Sequence, residues 1–247
     1  MVTDDEITRT YPCRECGKGE IPITAERIMF EGRFGDTYAK LAAVCEECAA
    51  KEEAEERAKE ERERQQNLAL RLRDSGLPQP MWTMTFESLT VDDHNRKGIE
   101  AARRWADGEI KGLLLAGPVG TGKTWTAAAA MRRFLLRRSC RWSPLSRMAV
   151  AMKAGFRNER REELMDLLLS PTMPIVIDDM DKSKPTDTLI DMLFQAIDDR
   201  MTNGTPLLVT TNLNYAETVE QYGEPIASRL TGYCETIRME GQDRRRT

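Results

Sequence analysis

A glycine-rich stretch, GPVGTGKT, carries the residue types that bind nucleotide phosphates. Gly117, Gly122, Lys123 and Thr124 match the pattern G-x-x-x-x-G-K-[ST]. Glycines allow successive backbone N–H groups to turn inward around phosphate oxygens, and a helix that begins at the loop adds partial positive charge. A glycine-rich strand–helix turn without a ligand is the alternative. The spacing predicts an ATP-binding loop made of Gly117, Pro118, Val119, Gly120, Thr121, Gly122, Lys123 and Thr124.

Two neighbouring carboxylates, Asp178 and Asp179, come directly after the apolar segment PIVI. A phosphate-binding loop of this kind works with a carboxylate at the end of an adjacent strand, which holds Mg²⁺. We expect Lys123 to contact the β- and γ-phosphates, and Thr124 and Asp178 to hold Mg²⁺. Asp179 is then the candidate that orients or activates the attacking water. An acidic turn after a strand, with no metal, is the alternative.

Four cysteines stand in two C-x-x-C pairs, Cys13 with Cys16 and Cys45 with Cys48. The first residues lack the basic and apolar regions of a signal peptide, so we expect a cytoplasmic protein with reduced thiols. Four thiolates complete a tetrahedral Zn²⁺ site and leave no open position, so the predicted role of the zinc is structural. A redox C-x-x-C and an iron–sulfur cluster are the alternatives, and neither has its usual surrounding pattern.

The composition favours a soluble protein with one sizeable domain and a smaller accessory part. The 247 residues are 40% hydrophobic and 32% charged, with a net charge of −4. No apolar run reaches the roughly 18 residues of a membrane span, so no membrane partner is expected. The single histidine, His94, nearly excludes histidine-based triads and multi-histidine metal centres. Basic residues predominate only after residue 94, which mildly favours a polyanion as partner of that part.

Three segments differ in kind along the chain. Residues 1–48 contain the cysteine pairs and too few apolar residues for a core of their own. Residues 49–75 are charged and, up to residue 73, consist almost entirely of strong helix formers, which predicts a linker helix. From residue 76 onward a lead-in with Gly76, Pro78 and Pro80 is followed by alternating helices and apolar strands. This pattern predicts an α/β domain at 76–247 with a parallel sheet flanked by helices.

The order and spacing of GPVGTGKT, IVIDDM, LLVTTN and IASRL resemble the AAA+ ATPases, and among them the DnaC/IstB family. The resemblance covers residues 76–247 and does not extend to the cysteine pairs. It implies that Asn212, at the end of the third strand, senses the γ-phosphate or the attacking water. It also implies that Arg229 is an arginine finger that reaches into a neighbouring subunit's ATP. A solvent-facing structural arginine is the alternative at that position.

Two features depart from larger AAA+ proteins. Asp179 stands where the family usually has Glu, and its carboxylate is one methylene shorter. Because positioning of the attacking water is sensitive at that scale, we expect slow hydrolysis. The short segment after Arg229 leaves no room for a full helical lid. We therefore expect a P-loop NTPase of AAA+ type without a full lid, whose nucleotide site closes against neighbouring subunits.

The resemblance implies an ATP-dependent replicative helicase loader that binds the DnaB-type hexameric helicase and single-stranded DNA during replication initiation. We expect an ATPase that self-associates as an AAA+ oligomer. Residues 1–48 lie where the loader family carries its partner-binding domain, so we expect the zinc module to dock on a protein. Its acidic surroundings argue mildly against a phosphate backbone. An IstB-type transposition helper acting on duplex DNA is the alternative, and a small-molecule P-loop kinase is a third.

Two arginine groups are candidates for contact with DNA. A single-stranded DNA track needs basic side chains together with stacking aromatics, and Trp142 and Phe156 lie near these groups in sequence. Solvated helix faces are an equal alternative. The first group comprises Arg132, Arg133, Arg137, Arg138 and Arg141, and the second comprises Arg157, Arg160 and Arg161.

Overall fold

The computed structural model describes residues 9–23, 43–153, 170–182, 184–241 and 243. The chain divides into two compact units, residues 1–65 and 66–247. The division falls inside a long helix, α1 (Glu46–Ser75), which begins three residues before the predicted linker. The second arginine group and Phe156 lie outside the described residues, so the structure says nothing about them.

The first unit contains a small antiparallel hairpin. Strand β1 (Arg9–Tyr11) pairs with β2 (Ile21–Ile23). The buried apolar side chains described in this unit are few: Tyr11, Ile23 and Ala43 form its hydrophobic cluster, with Ile21 packed against them. The described part of this core is too small to offset the conformational entropy of folding by itself.

The charged helix α1 has two different parts. In the first unit, Arg57 pairs with Glu53 at 3.1 Å, the i, i+4 spacing that supports a solvated helix. In the second unit, Leu68 and Leu72 are buried in the core of the α/β domain. Arg71 there donates to the backbone carbonyl of Leu135 at 2.8 Å. The last turns of α1 therefore pack as part of the α/β domain.

A five-stranded parallel sheet forms the second unit, with the strand order β4-β5-β6-β3-β7. Its strands are β3 (Gly112–Ala116), β4 (Arg141–Pro144), β5 (Ile175–Asp178), β6 (Leu207–Thr211) and β7 (Cys234–Arg238). The helices are α2 (Arg96–Asp107), α3 (Lys123–Leu135), α4 (Leu145–Lys153), α5 (Asp187–Asn203), α6 (Tyr215–Tyr222) and α7 (Glu224–Tyr233). Short 3₁₀ turns occur at Gln79–Met81, Phe86–Ser88 and Met180–Lys182.

Helices cover both faces of this sheet. On one face α2, α3 and the lead-in pack around Trp105, which stacks on Phe134 with ring centroids 4.9 Å apart. On the other face α4, α5, α6 and α7 pack against residues such as Ile177 and Val209. Strands buried on both faces read as continuous apolar runs, which explains the segments LLL, IVI and LLV. The predicted parallel α/β fold flanked by helices is confirmed.

Strand β4 was not predicted from sequence, because RWSP combines Arg141 with Pro144 and reads as a loop. It pairs in parallel with β5, with Trp142 opposite Val176. Trp142 is 3% exposed and belongs to the core, so it is not available to stack on bases, and its suggested role beside the first arginine group is wrong. Among the described residues, no helix is both long and apolar enough to span a membrane.

Candidate nucleotide site and cysteine cluster

The loop between β3 and α3 carries the predicted phosphate-binding residues. Gly117 has a φ of 141°, and a Cβ at this position would lie 1.9 Å from the carbonyl oxygen of Met239. Gly122 has a φ of 94° and precedes the first residue of α3, Lys123. Only glycine adopts these conformations without strain. The loop therefore ends at a helix N-terminus, where free N–H groups attract anions.

The side chain of Lys123 is buried and is surrounded by this loop. Its ammonium donates to the carbonyl oxygens of Gly117 at 2.7 Å and Pro118 at 2.8 Å. A third hydrogen bond, of 2.8 Å, reaches Oδ1 of Asn212. Burial lowers the pKa of Lys123, and the charge of nearby Asp181 opposes that change. The three protons of the ammonium have three acceptors, all of which a phosphate group could replace.

Asp178 and Thr124 meet beside the lysine, as their predicted shared role in holding Mg²⁺ requires. The Thr124 hydroxyl donates to Oδ1 of Asp178 at 3.1 Å, and the Thr210 hydroxyl donates to the same oxygen at 2.7 Å. Burial raises the pKa of Asp178, and the hydrogen bond from Thr210 partly opposes it. A buried carboxylate with a hydroxyl alongside is a donor set of the hard-oxygen type that Mg²⁺ prefers.

Asp179 has an unusual backbone conformation. Its φ is 53°, and among the described residues no other non-glycine has a positive φ. Its N–H donates to Oγ1 of Thr210 at 2.9 Å, and its carboxylate pairs with Lys182 at 2.5 Å. Aspartate tolerates the left-handed region better than most residues. The turn aims the carboxylate at the same cavity that Lys123 lines.

Asn212 follows β6, as predicted, and has a partner that the sequence did not single out. Its backbone N–H donates to one carboxylate oxygen of Asp181 at 2.8 Å, and its side-chain Nδ2 donates to the other at 2.6 Å. Asp181 and Lys182 both lie on the 3₁₀ turn Met180–Lys182. The run of charges in DDMDK after a buried strand was the available signal for both residues.

Five of these side chains, those of Lys123, Thr124, Asp179, Lys182 and Asn212, line one polar cavity of about 100 Å³. An adjoining recess of about 200 Å³ is more apolar and includes Met84, Leu89 and Ile99 from the lead-in and α2. Gly122 and Trp125 line both spaces. The recess was missed at the sequence level because its residues come from three separate segments. The polar cavity is lined by Val119, Gly120, Gly122, Lys123, Thr124, Trp125, Asp179, Lys182 and Asn212.

Arg229 is not among the residues that line this cavity. It lies on α7, where its Nε donates to Asp198 at 2.6 Å. Its guanidinium also stacks over the ring of Phe194, 4.0 Å from the ring centroid. Within one chain, the predicted finger is therefore held against α5 and does not reach the chain's own nucleotide site.

The four cysteines converge in the first unit. Their sulfur atoms all lie within 4.8 Å of one another, and the sulfurs of Cys16 and Cys45 are 3.9 Å apart. A tetrahedral zinc site with Zn–S bonds of about 2.3 Å has sulfurs about 3.8 Å apart, so the cluster fits such an ion. Hydrogen bonds from the backbone N–H groups of Cys16 and Cys45 lower the pKa of Cys13 to about 6. Cys45 directly precedes α1, and Cys48 lies in its first turn.

The first arginine group is largely engaged within the domain. Arg133 holds both carboxylate oxygens of Asp107 at 2.8 Å, and Arg137 also pairs with Asp107. Arg132 donates to the carbonyl of Trp82 at 2.8 Å, and Arg141 donates to the carbonyl of Asp74. The contacts of Arg132, Arg133 and Arg137 join α2, the lead-in and the segment of α3, and that of Arg141 joins β4 to α1. They leave fewer positive charges for a DNA track than the sequence suggests.

The phosphate-binding loop follows β3, the carboxylate of Asp178 ends β5, and the amide of Asn212 follows β6, which lies between those two strands in the sheet. This arrangement defines a P-loop nucleoside triphosphatase of AAA+ type. The sequence model described as "IstB-like ATP binding protein" matches residues 47–247 of this chain. The chain therefore belongs to the IstB-like family, whose members, together with their DnaC relatives, are AAA+ ATP-binding ATPases. The predicted family and enzyme class are confirmed.

Individual relatives support the same assignment. The replicative helicase loader DnaC of Escherichia coli K12 is 28% identical over 153 residues, which cover 59% of this chain and 62% of that protein. A putative ATP-binding protein in an insertion sequence of Mycobacterium tuberculosis is 31% identical over 113 residues, which cover 45% and 44% of the two chains. The alignments thus cover less than two thirds of these relatives' lengths. The crystal structure of DnaI shares the fold, with a TM-score of 0.58 and 20% identity over 68% of this chain and 94% of that one.

Proposed function

We propose that this protein is an ATP-dependent replicative helicase loader of the cytoplasm, which binds a hexameric helicase and single-stranded DNA during replication initiation. The observation that carries the ATPase part is the polar cavity lined by Lys123, Thr124 and Asn212, beside which Asp178 accepts a hydrogen bond from Thr124. The loader part is supported by the similarity to the E. coli helicase loader. The parallel similarity to a protein of an insertion sequence supports the rival function.

Residues 117–124 bind the triphosphate in this proposal. The ammonium of Lys123 exchanges its three protein acceptors for phosphate oxygens. Because the ammonium is already buried and hydrogen-bonded in the folded chain, nucleotide binding does not have to remove it from water. Thr124 and Asp178 hold the magnesium ion. Magnesium supplies the positive charge that neutralises the phosphates when it is bound. The apolar recess beside Trp125 accepts the base, since it adjoins the phosphate site and lies against the lead-in.

Asp179 orients the attacking water in this proposal. Its carboxylate is ion-paired with Lys182 through Oδ2, which leaves Oδ1 to accept a hydrogen bond from water. The side chain is one methylene shorter than that of glutamate, so this oxygen lies further from the water. Turnover by this protein is therefore slow, and nucleotide binding lasts long enough to act as a switch.

Self-association completes the site in this proposal. Arg229 is held within its own chain by Asp198 and Phe194, so a second copy is needed to bring an arginine to the γ-phosphate. An arginine supplied from a neighbour stabilises the charge that develops on the transferring phosphoryl group. The rate of hydrolysis then depends on self-association of the protein, and binding of the helicase or of DNA can change the degree of self-association.

The cysteine cluster folds the partner-binding module in this proposal. Zinc on Cys13, Cys16, Cys45 and Cys48 stabilises a unit whose described hydrophobic cluster is very small. Binding of structural zinc contributes on the order of 10–16 kcal/mol at neutral pH. The first unit then offers a surface with acidic residues in the first turn of α1, Glu46 and Glu47, which suits a protein partner better than a phosphate backbone.

The rival function is that of an IstB-type transposition helper, and DNA preference separates the two. We would measure ATPase activity of the purified protein with no DNA, with a single-stranded oligonucleotide and with the matching duplex, using Lys123→Ala as the blank. Stimulation by single strands and co-elution with the replicative hexamer of the same organism would support the loader. Stimulation by duplex alone, without helicase binding, would replace it with the transposition helper.

A further inference from the structure

The acidic residue Asp181 contacts the predicted sensor Asn212 and has no assigned role. We propose that Asp181 is a positioning residue that fixes the side-chain amide of Asn212, so that its carbonyl oxygen Oδ1 faces the phosphate site. The inference rests on the proposed ATPase function, because it specifies which atom of Asn212 serves that site. It also decides between the two roles left open for Asn212, contact with the γ-phosphate and contact with the water.

The position of Asp181 is set by a firmly anchored turn. The preceding residue, Met180, is fully buried, and its carbonyl accepts a hydrogen bond from the hydroxyl of Tyr222. The next residue, Lys182, closes the turn through its N–H, which donates to the carbonyl of Asp179 at 3.1 Å. Asp181 is therefore presented to the end of β6 by contacts that do not involve Asn212.

Hydrogen-bond chemistry then fixes the orientation of the amide. An ionised carboxylate accepts hydrogen bonds and donates none, so only N–H groups can face Asp181. Asn212 supplies two of them, its backbone N–H at 2.8 Å and its Nδ2 at 2.6 Å. With Nδ2 directed to Asp181, Oδ1 points the opposite way and accepts from the ammonium of Lys123 at 2.8 Å. A flipped amide would place an acceptor against a carboxylate and a donor against an ammonium.

The consequence concerns hydrolysis. When Lys123 turns to a triphosphate, Oδ1 of Asn212 is left as an acceptor at the phosphate site. An acceptor can hold a proton of the attacking water, whereas a phosphate oxygen needs a donor. Because Asp181 holds this orientation before nucleotide arrives, no reorganisation is needed at the moment of reaction. Asn212 accordingly acts on the water, together with Asp179.

Asp181→Asn tests the proposal with almost no change in volume. Its side chain has one acceptor and one NH₂ group, so it can satisfy the backbone N–H of Asn212 but repels Nδ2. We expect the turnover at saturating ATP to fall by about 10- to 100-fold, the range seen when a group that orients a reacting residue is lost. The KM for ATP should change far less, because the phosphate contacts of Lys123 remain. Asp191→Asn, which makes the same charge change at an exposed position of α5, is the matched control.

A double-mutant cycle separates positioning from other effects. If Asp181 acts through Asn212, Asp181→Asn should lower the turnover by less than about twofold in an Asn212→Ala background. A change of that size is no larger than the usual uncertainty of a double-mutant cycle. An equal loss in both backgrounds would overturn the proposal, as would wild-type turnover in the single variant. Thermal unfolding of each variant identifies a loss that comes from misfolding. In that case Asp181→Ala, which removes the carboxylate without adding a donor, takes its place in the cycle.

A second readout does not depend on hydrolysis. In ¹⁵N-labelled protein, the side-chain amide protons of Asn212 should exchange slowly, and their resonances should move in Asp181→Asn but not in Asp191→Asn. Unchanged Asn212 amide resonances in Asp181→Asn would overturn the proposal. A wild-type protein no more active than Lys123→Ala would instead refute the proposed ATPase function, and these resonances would still report whether Asp181 orients the amide.

Discussion

Lys123 is the residue whose surroundings say most about the nucleotide site. Its buried ammonium is held by two loop carbonyls and by Asn212, so the loop is closed around its own lysine. The motif spacing and the carboxylate after an apolar strand were enough to expect Lys123, Thr124 and Asp178 in one place, where the structure has them. Their roles in binding ATP and Mg²⁺ stay predictions. Asp181 and Lys182 were not predictable in the same way, since a short turn after β5 decides where their side chains point.

At the level of single residues, Asp179 gives the sharpest prediction. Replacing it with Glu should raise the turnover of ATP by roughly 10- to 100-fold, because the longer side chain brings the carboxylate closer to the water. Asp179→Asn should reduce turnover below that of the wild type. A coupled phosphate-release assay at saturating ATP measures both. Equal turnover in all three proteins would mean that residue 179 has no catalytic role.

At the level of elements, the contacts between helices explain where the arginines go. Arg133 on α3 and Arg137 in the turn after it both pair with Asp107 at the end of α2. Charges that the sequence pattern suggested for DNA contact therefore stabilise the packing of α2 against α3. Sequence patterns predicted β3, β5, β6 and the helices α3 and α5, since their apolar periods are long and regular. Strand β4 was not predicted because it is four residues long and has arginine and proline at its ends.

The pair formed by Asp107 and Arg133 should contribute to stability. Asp107→Asn should lower the free energy of unfolding by about 1 kcal/mol. The effect is small because both side chains are partly exposed and water weakens their attraction. The hydrogen bond from Arg133 lowers the pKa of Asp107. The stabilisation is therefore present above the unfolded-state pKa of about 3.9 and is lost as the pH falls through the lower folded-state pKa.

Urea unfolding of wild type and Asp107→Asn at several pH values measures this difference. The two proteins should converge in acid, and added salt should also reduce the gap. Single-stranded DNA affinity should be the same for both proteins and for Arg133→Lys. A large loss of DNA affinity in Arg133→Lys, with stability unchanged, would return this arginine to the DNA-binding candidates.

The predicted structural role of zinc in the cysteine cluster can also be tested directly. Removal of zinc with a strong chelator should unfold the described residues 9–23 and 43–48, because the hydrophobic cluster described there is very small. The ATPase activity of the α/β domain should persist in part. Metal analysis and limited proteolysis measure the outcome, with Cys13→Ser expected to behave like the chelated protein. Cys140→Ala, a change at a buried cysteine outside the cluster, is the control that should retain zinc.

At the level of the whole molecule, one chain carries only part of the proposed catalytic machinery. The nucleotide cavity is lined by two lysines, one carboxylate and an amide, while Arg229 is held on α7 by Asp198. The sequence resemblance supplied the finger assignment, but its resting contacts with Asp198 and Phe194 follow only from the packing of α5 against α7. Assembly is therefore part of the proposed mechanism.

Mixing two inactive variants tests whether the finger acts across subunits. Arg229→Ala should lower turnover on the order of 1,000-fold while leaving ATP binding intact, and Lys123→Ala should not bind ATP. A mixture should regain activity, because Lys123→Ala chains can supply Arg229 to neighbours that bind ATP. Absence of any recovery, under conditions where the chains associate, would argue that Arg229 has a structural role on α7.

The central claim is that nucleotide at residues 117–124 controls binding to a replicative helicase. The most direct measurement is size-exclusion chromatography with light scattering on the full-length protein mixed with the replicative hexamer of its own organism, with and without ATP. We predict a complex whose amount changes with ATP, and no such change for Lys123→Ala. A protein that binds ATP yet never co-elutes with the hexamer, and whose ATPase responds only to duplex DNA, would contradict the loader function.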